Sequence, residues 1–332
     1  MTRLGGQTYR RILSALGILV FGVILYYGGV EALRQVARVK PLYLLLAFVA
    51  AGLAAVVTAV RWGLIVDALE GGPARSKLHY FYYVMMGKIS STFVSQYVGD
   101  YGVRPLALKA SSTTTMGRAF YSVLLDRLFD LMLSLLFLVP GILYLGGLIS
   151  PELLVVLLAL LVGVYWAASG RNHQLLAALL AIVVRVVGGA RTRITPLRGP
   201  LAKLESALEG AREGVERVGR RCITSANLLT GGRYVAMALR AYFISLALGL
   251  PIPFWLTFLA VGLVRFTLLL AVAPARLGVL EVGWYGVLAL GGMDSSTIIP
   301  FLIGLRVYGL VFNAVLALAT HLAVTVSPRG TT

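Results

Sequence analysis

The chain has 332 residues, 59% of them hydrophobic and only 13% charged, with a mean hydropathy of +0.88. A soluble domain sits near about half apolar and about a quarter charged, so that class is excluded. The formal net charge is +17, from 30 Lys and Arg against 13 Asp and Glu. In so apolar a chain this points to basic loops that set orientation and meet anionic lipid headgroups, and away from a nucleic-acid partner.

The apolar residues fall in long continuous blocks, several beyond the ~18 residues that cross a bilayer core as a helix. Alternation, the mark of a membrane-spanning barrel, is absent. The first block, Ile12 to Val30, follows Arg10 and Arg11; it is long and lacks a small-residue cleavage site, so it is expected to stay as a first helix rather than leave as a signal peptide. Further spans are expected over Leu42–Val66, Ala119–Leu148, Leu153–Ala168, Ile223–Leu250, Phe254–Ala273 and Ile298–Val326, with a short piece over Val279–Leu290. His79 to Val98 is apolar but ends in a Gly and charge cluster, and Leu106 to Met116 is small and rich in Ser and Thr.

Orientation follows from charge. Arg171 to Arg221 carries ten basic residues, among them Arg191, Arg193 and Lys203, against Glu205, Glu209, Glu213 and Glu216. That loop and the N-terminus, with Arg3, Arg10 and Arg11, belong in the cytoplasm of a cell-membrane protein. Both can do so if His79 to Met116 dips in and returns on one side. Arg34, Arg38 and Lys40 then lie outside, against the rule. Within the loop, Leu201, Leu204, Leu208, Ala211, Val215 and Val218 form one helical stripe, suited equally to the protein's own face or to the headgroup layer.

The expected fold is all-α: a polytopic transmembrane helical bundle of about eight spans with two re-entrant or broken segments. It forms one integral membrane domain over 1–332, with a first half 10–170, a basic loop 171–221 and a second half 222–326.

Lys88, Asp126, Arg127, Asp130, Arg240, Arg265, Glu281 and Arg306 lie inside or beside apolar blocks. A charge at the membrane centre costs roughly 2.5–3.5 kcal/mol on insertion scales, so these side chains should face the bundle interior and be paired. Arg61 is read as snorkelling from the cytoplasmic end of its span. Arg265 and Arg306 lie too deep for that.

Asp126 and Asp130 share a helix face, with Arg127 in reach of Asp130. The cluster is either a structural ion-pair knot or the polar wall of a translocation path. Two segments resemble broken helices, Gln96–Pro105 (Gly99, Asp100, Gly102, Arg104) and Ala273–Glu281 (Pro274, Arg276, Gly278). Each sets Pro and Gly beside an acid and an arginine, and freed backbone in lipid must meet protein or water.

The chemistry of an enzyme does not assemble. Cys222 is the sole cysteine and His79, His173 and His321 lie far apart, so no metal site and no disulfide is expected. No nucleophilic triad, phosphate-binding Gly loop or cofactor motif is present.

Three places resemble the lysylphosphatidylglycerol synthase transmembrane-domain family, the flippase-like membrane part of the bacterial multiple peptide resistance factor. These are Gly99-Asp100 with Arg104, Asp126-Arg127-x-x-Asp130, and Pro274-x-x-x-Gly278-x-x-Glu281. In the first, the acid and the arginine stand one residue further apart than is usual in that family. The resemblance, over about Arg10 to Val326, implies a helical bundle with two re-entrant segments that moves a lipid between leaflets. Only Ser327–Thr332 follow the last span, so a stand-alone member without the soluble synthase domain is expected.

The function expected is translocation of a phospholipid or other phosphate-bearing lipid. Arg104, Arg265, Arg276 and Arg306 would meet the phosphate, and Asp126, Asp130 and Glu281 would pair with them in the empty cleft. The alternative is an accessory or scaffold subunit for lipid-linked glycan or envelope enzymes. A homo-oligomer or an envelope-enzyme partner fits either reading.

Overall fold

The computed structural model describes residues 34, 36–93, 98–167, 218–267 and 278–326, and these are helical with short connections. The first span, the basic loop up to residue 217 with its stripe apart from Val218, and Pro274 and Arg276 lie outside the described residues.

Helix α1 (Pro41–Glu70) begins with proline at its first turn, where a missing N–H costs nothing, and ends at Gly71 in the left-handed conformation (φ 78°). Helix α2 (Lys77–Phe93) follows. A π-helical turn (Gly99–Val103) then runs into the short helix α3 (Arg104–Ser111). Helix α4 (Met116–Leu145) is capped by Thr115, whose hydroxyl accepts the Arg118 N–H. Helices α5 (Pro151–Ala167), α6 (Arg220–Ala247), α7 (Phe254–Thr267), α8 (Val279–Leu290) and α9 (Ser295–Val326) complete the described bundle.

Three of these, α1, α4 and α9, are long and apolar enough to cross a membrane; α5, α7 and α8 are shorter apolar helices. At 1.5 Å per residue a 30-residue helix runs about 45 Å. Leu42, Leu45, Val49 and Leu53 lie outward on α1, as do Leu318 and Leu322 on α9. The chain is an all-α membrane bundle.

Helix α1 packs most extensively on α6, and both also contact α4. The alanines on the buried side of α1, Ala47, Ala50, Ala51, Ala54 and Ala55, let the backbones approach closely. On the other flank α2 lies between α1 and α9.

The segment after α2 folds back on it as an antiparallel hairpin. Gly87 of α2 faces Gly99 of the π turn and Arg104 of α3, while Tyr83 donates a 2.6 Å hydrogen bond to Ser111. A Cβ on Gly99 would sit 2.3 Å from the Gly87 carbonyl oxygen, so only glycine permits this approach. The small, Ser/Thr-rich stretch from Leu106 is helical up to Ser111, and only the residues around 112–115 form the turn into α4.

Candidate functional site: a charged cavity beside a buried ion-pair knot

Helix α4 carries a buried polar stripe at four-residue steps: Ser122, Asp126, Asp130 and Ser134. This spacing puts all four on one face, and that face meets α1 and α6. Trp62 donates its indole N–H to Ser122 at 2.9 Å. Tyr234 donates to the Asp130 carbonyl oxygen at 3.0 Å and shares a hydrogen bond with Ser134.

Arg61 closes the knot. Its Nε donates to Asp126 and one terminal nitrogen to Asp130, both at 2.8 Å; that same nitrogen reaches Thr230 at 2.7 Å, and the other donates to the Asp126 carbonyl oxygen at 3.0 Å. It is fully buried. The snorkelling expected of Arg61 is therefore wrong. Helix α1 continues past Val66 to Glu70, so Arg61 lies inside it with two carboxylates across from it.

Around this centre the other cations are arranged in a second layer. Arg104 holds the remaining Asp126 oxygen with both terminal nitrogens at 3.2 Å and stacks over Trp62 at 4.3 Å. Arg127 bridges Asp100 at 2.6 Å and Asp130 at 3.2 Å. Arg233 meets Asp130 at 2.5 Å, and Arg265 approaches it at 3.7 Å. Arginine's planar fork suits such shared pairing. Asp100, Arg104, Asp126, Arg127, Asp130 and Arg265 thus form one connected network.

The start of α8 contributes a separate pair. Gly278, with φ 81°, starts α8, a left-handed conformation that favours glycine. Glu281 accepts the Gly278 N–H at 2.9 Å and holds Arg306 of α9, whose Nε donates to it at 2.9 Å. A carboxylate at this position satisfies an unpaired N–H of the first helical turn.

Both groups open onto one cavity of about 200 Å³. Asp100, Arg104 and Arg127 line it from the first half of the chain; Arg233, Arg265 and Arg306 line it from the second. The remaining cations in its wall are Lys88 of α2 and Arg240 of α6. Among the described residues neither has a carboxylate within ion-pairing distance, and the Arg240 Nε is buried with no hydrogen-bond partner. The Nε atoms of Arg104 and Arg127 also lack one, but their other nitrogens are paired. Ala51, Ala54, Val84, Met237, Leu280 and Leu305 supply apolar wall.

Arg233 was not singled out by sequence, although a signal existed. Arg233, Met237 and Arg240 recur at four- and three-residue steps, one face of α6, and all three line the cavity. Among the described residues no group of His, Cys, Asp and Glu is arranged to hold a metal.

No curated protein and no solved structure matches the chain. A family model does: that of the lysylphosphatidylglycerol synthase TM region matches residues 13–317, a stretch that holds every residue of the knot and of the cavity wall, and the chain belongs to that family.

Proposed function

We propose that this protein is a lipid translocase that carries a phosphate-bearing headgroup between leaflets through the charged cavity. The observation that supports the reading is that the π turn and the start of α3, through Asp100 and Arg104, and the first turn of α8, through Leu280 and through Glu281 on Arg306, meet at one cavity whose wall is part arginine and part apolar. An ionic headgroup in hydrocarbon loses its hydration at a cost of several kcal/mol, roughly 2.5–3.5 per charge even on the mildest scales. A cavity lined with arginines replaces that hydration with charge-assisted hydrogen bonds. Acyl chains would stay in lipid while the headgroup passes.

In this reading the antiparallel hairpin of α2 with the π turn and α3 enters and leaves the membrane on one face. The basic loop 171–221 lies on the cytoplasmic side, and 1–332 form a single membrane domain. The residues proposed to line the path are Asp100, Arg104, Arg127, Arg265 and Arg306, together with Pro274 and Arg276 of the second broken segment. Asp126, Asp130, Gly278 and Glu281 hold them in place. No step in this account is catalytic.

The test is headgroup transfer in vesicles reconstituted with the purified protein, read by accessibility of a labelled lipid to a membrane-impermeant quencher. Wild-type protein is expected to speed transfer well above protein-free vesicles. Arg127→Gln is expected to abolish the gain while the protein still elutes as a single folded species. Wild-type transfer at the protein-free rate would remove the proposal and leave the accessory-subunit reading.

A further inference from the structure

The cavity's charges are out of balance, and the imbalance carries information about cargo. Arg61, Lys88, Arg104, Arg127, Arg233 and Arg240, with Arg265 and Arg306, face four carboxylates: Asp100, Asp126, Asp130 and Glu281. This leaves four more cationic than anionic side chains in and around the cavity. The described neighbours add no further acid.

The carboxylates present are also all engaged. Asp126 is held by Arg61 and Arg104, Asp130 by Arg61, Arg127 and Arg233, Asp100 by Arg127, and Glu281 by Arg306 and the Gly278 N–H. Among the described residues, the cavity cations short of partners are Lys88 and Arg240. Lys88 has Arg233, Arg240 and Arg265 as its charged surroundings, with Asp100 as the acid. Like charges at such sites repel strongly in a medium of low dielectric constant, and a guanidinium buried without a partner is costly. A bound anion removes both penalties.

We infer that the cavity selects lipids whose headgroup is net anionic, with Lys88 and Arg240 as the residues that set this specificity. This rests on the translocase reading and narrows its substrate class. Among the described residues, a headgroup that carries an ammonium beside its phosphate finds no free carboxylate to receive it. The four acids are taken, and the ammonium would face Lys88 and Arg240. Discrimination then arises from repulsion as much as from attraction. A lipid is favoured over a free phosphate ester because apolar side chains, Val84, Met237, Leu280, Leu305 and Leu310 among them, share the wall with the charges.

The experiment compares three acyl-labelled lipids in proteoliposomes: phosphatidylglycerol, which is anionic, phosphatidylcholine, which is zwitterionic, and lysyl-phosphatidylglycerol, which is cationic. Phosphatidylglycerol is expected to move about tenfold faster or more than either of the others, a ratio worth about 1.4 kcal/mol. Lys88→Gln with Arg240→Gln is expected to slow phosphatidylglycerol about tenfold and bring the three rates together, with the melting temperature in detergent held or raised. Equal rates for all three lipids in the wild type would overturn the selectivity while leaving translocation standing. Fastest transfer of the cationic lipid would do the same. Transfer of none would remove the translocase reading as well. Uptake of soluble glycerol phosphate into the vesicles without lipid transfer would assign the cavity to a soluble anion. Because the wild-type ratios decide the matter, the inference stays testable even if the double variant does not fold.

Discussion

Two regions within one bundle use the same residue type to opposite ends. Arg61, at the meeting of α1, α4 and α6, is fully buried and hydrogen-bonded to two carboxylates, a threonine and a carbonyl oxygen. Arg240, on the same α6, is part-exposed to a cavity and has a buried Nε with no partner among the described residues. What separates them is the number of acids opposite. Where carboxylates are present, buried arginine ties helices together; where they are absent, the same side chain is left to bind something else. A buried charge pair is a weak stabiliser by itself, because desolvation offsets much of the attraction, but removing one partner is severe. The two regions should therefore respond to substitution with very different sizes of effect.

The largest effect is expected at Asp130. Arg61, Arg127 and Arg233 all hold its carboxylate, and Arg265 stands 3.7 Å away. Asp130→Asn keeps the shape and strands the positive charge of several arginines at once. A loss of about 3–5 kcal/mol is expected, enough to abolish folding in a marginal protein. Thermal unfolding in detergent checks it. A variant as stable as the wild type would mean that the knot is solvated, and the contrast with Arg240 would disappear.

A middle effect is expected at Glu281, which belongs to both regions: it holds Arg306, which lines the cavity, and caps α8 through Gly278. Glu281→Gln retains an acceptor for the Gly278 N–H but loses the charge opposite Arg306. Charge-assisted bonds contribute about 1.5–3 kcal/mol, and a drop in stability of that order is expected, with loss of headgroup transfer. Gly278→Ala, at φ 81°, isolates the backbone contribution; it is expected to cost about 1–2 kcal/mol while leaving the charges in place. If the two variants lose transfer equally, geometry at the start of α8 matters more than the Glu281 charge.

How much of this could be read from the chain alone differs between the same regions. The density of Asp126, Arg127 and Asp130 marks α4 as special, and the depth of Arg265 and Arg306 in apolar runs already rules out a lipid-facing position. The glycine of the second broken segment is explained by its positive φ. What sequence does not disclose is who pairs with whom. Asp126 has Arg127 as its chain neighbour, yet its partners are Arg61 and Arg104, while Arg127 turns to Asp100 and Asp130. Pairing across helices depends on packing between residues 22 to 169 positions apart, and no local pattern encodes it. Arg61 was misjudged because the apolar run ends before the helix does. Arg233 is hard to read from sequence because a single arginine in a long apolar block stands out less than a cluster, although it shares a helix face with Arg240.

The smallest effect on stability, and the sharpest test of the comparison, is expected at Arg240. Its guanidinium lies in the bundle without a carboxylate opposite among the described residues, and its Nε is buried without an acceptor. Keeping such a group charged and partly desolvated without a counter-charge works against folding. Arg240→Met preserves most of the side chain's length and apolar contact while removing the charge. The expected change is neutral or a gain of up to about 1 kcal/mol, the sign seen when buried charges are exchanged for apolar groups of similar volume. The same substitution at Arg61 leaves Asp126 and Asp130 short of a cation and should destabilise by about 3 kcal/mol or more. Paired melting curves of the two variants in one detergent measure the difference directly. A stability cost at Arg240 as large as that at Arg61 would mean that Arg240 ties the fold together after all. A gain in stability joined to a loss of anionic-lipid transfer would show that this arginine is retained for what enters the cavity, at the expense of the helices that form it.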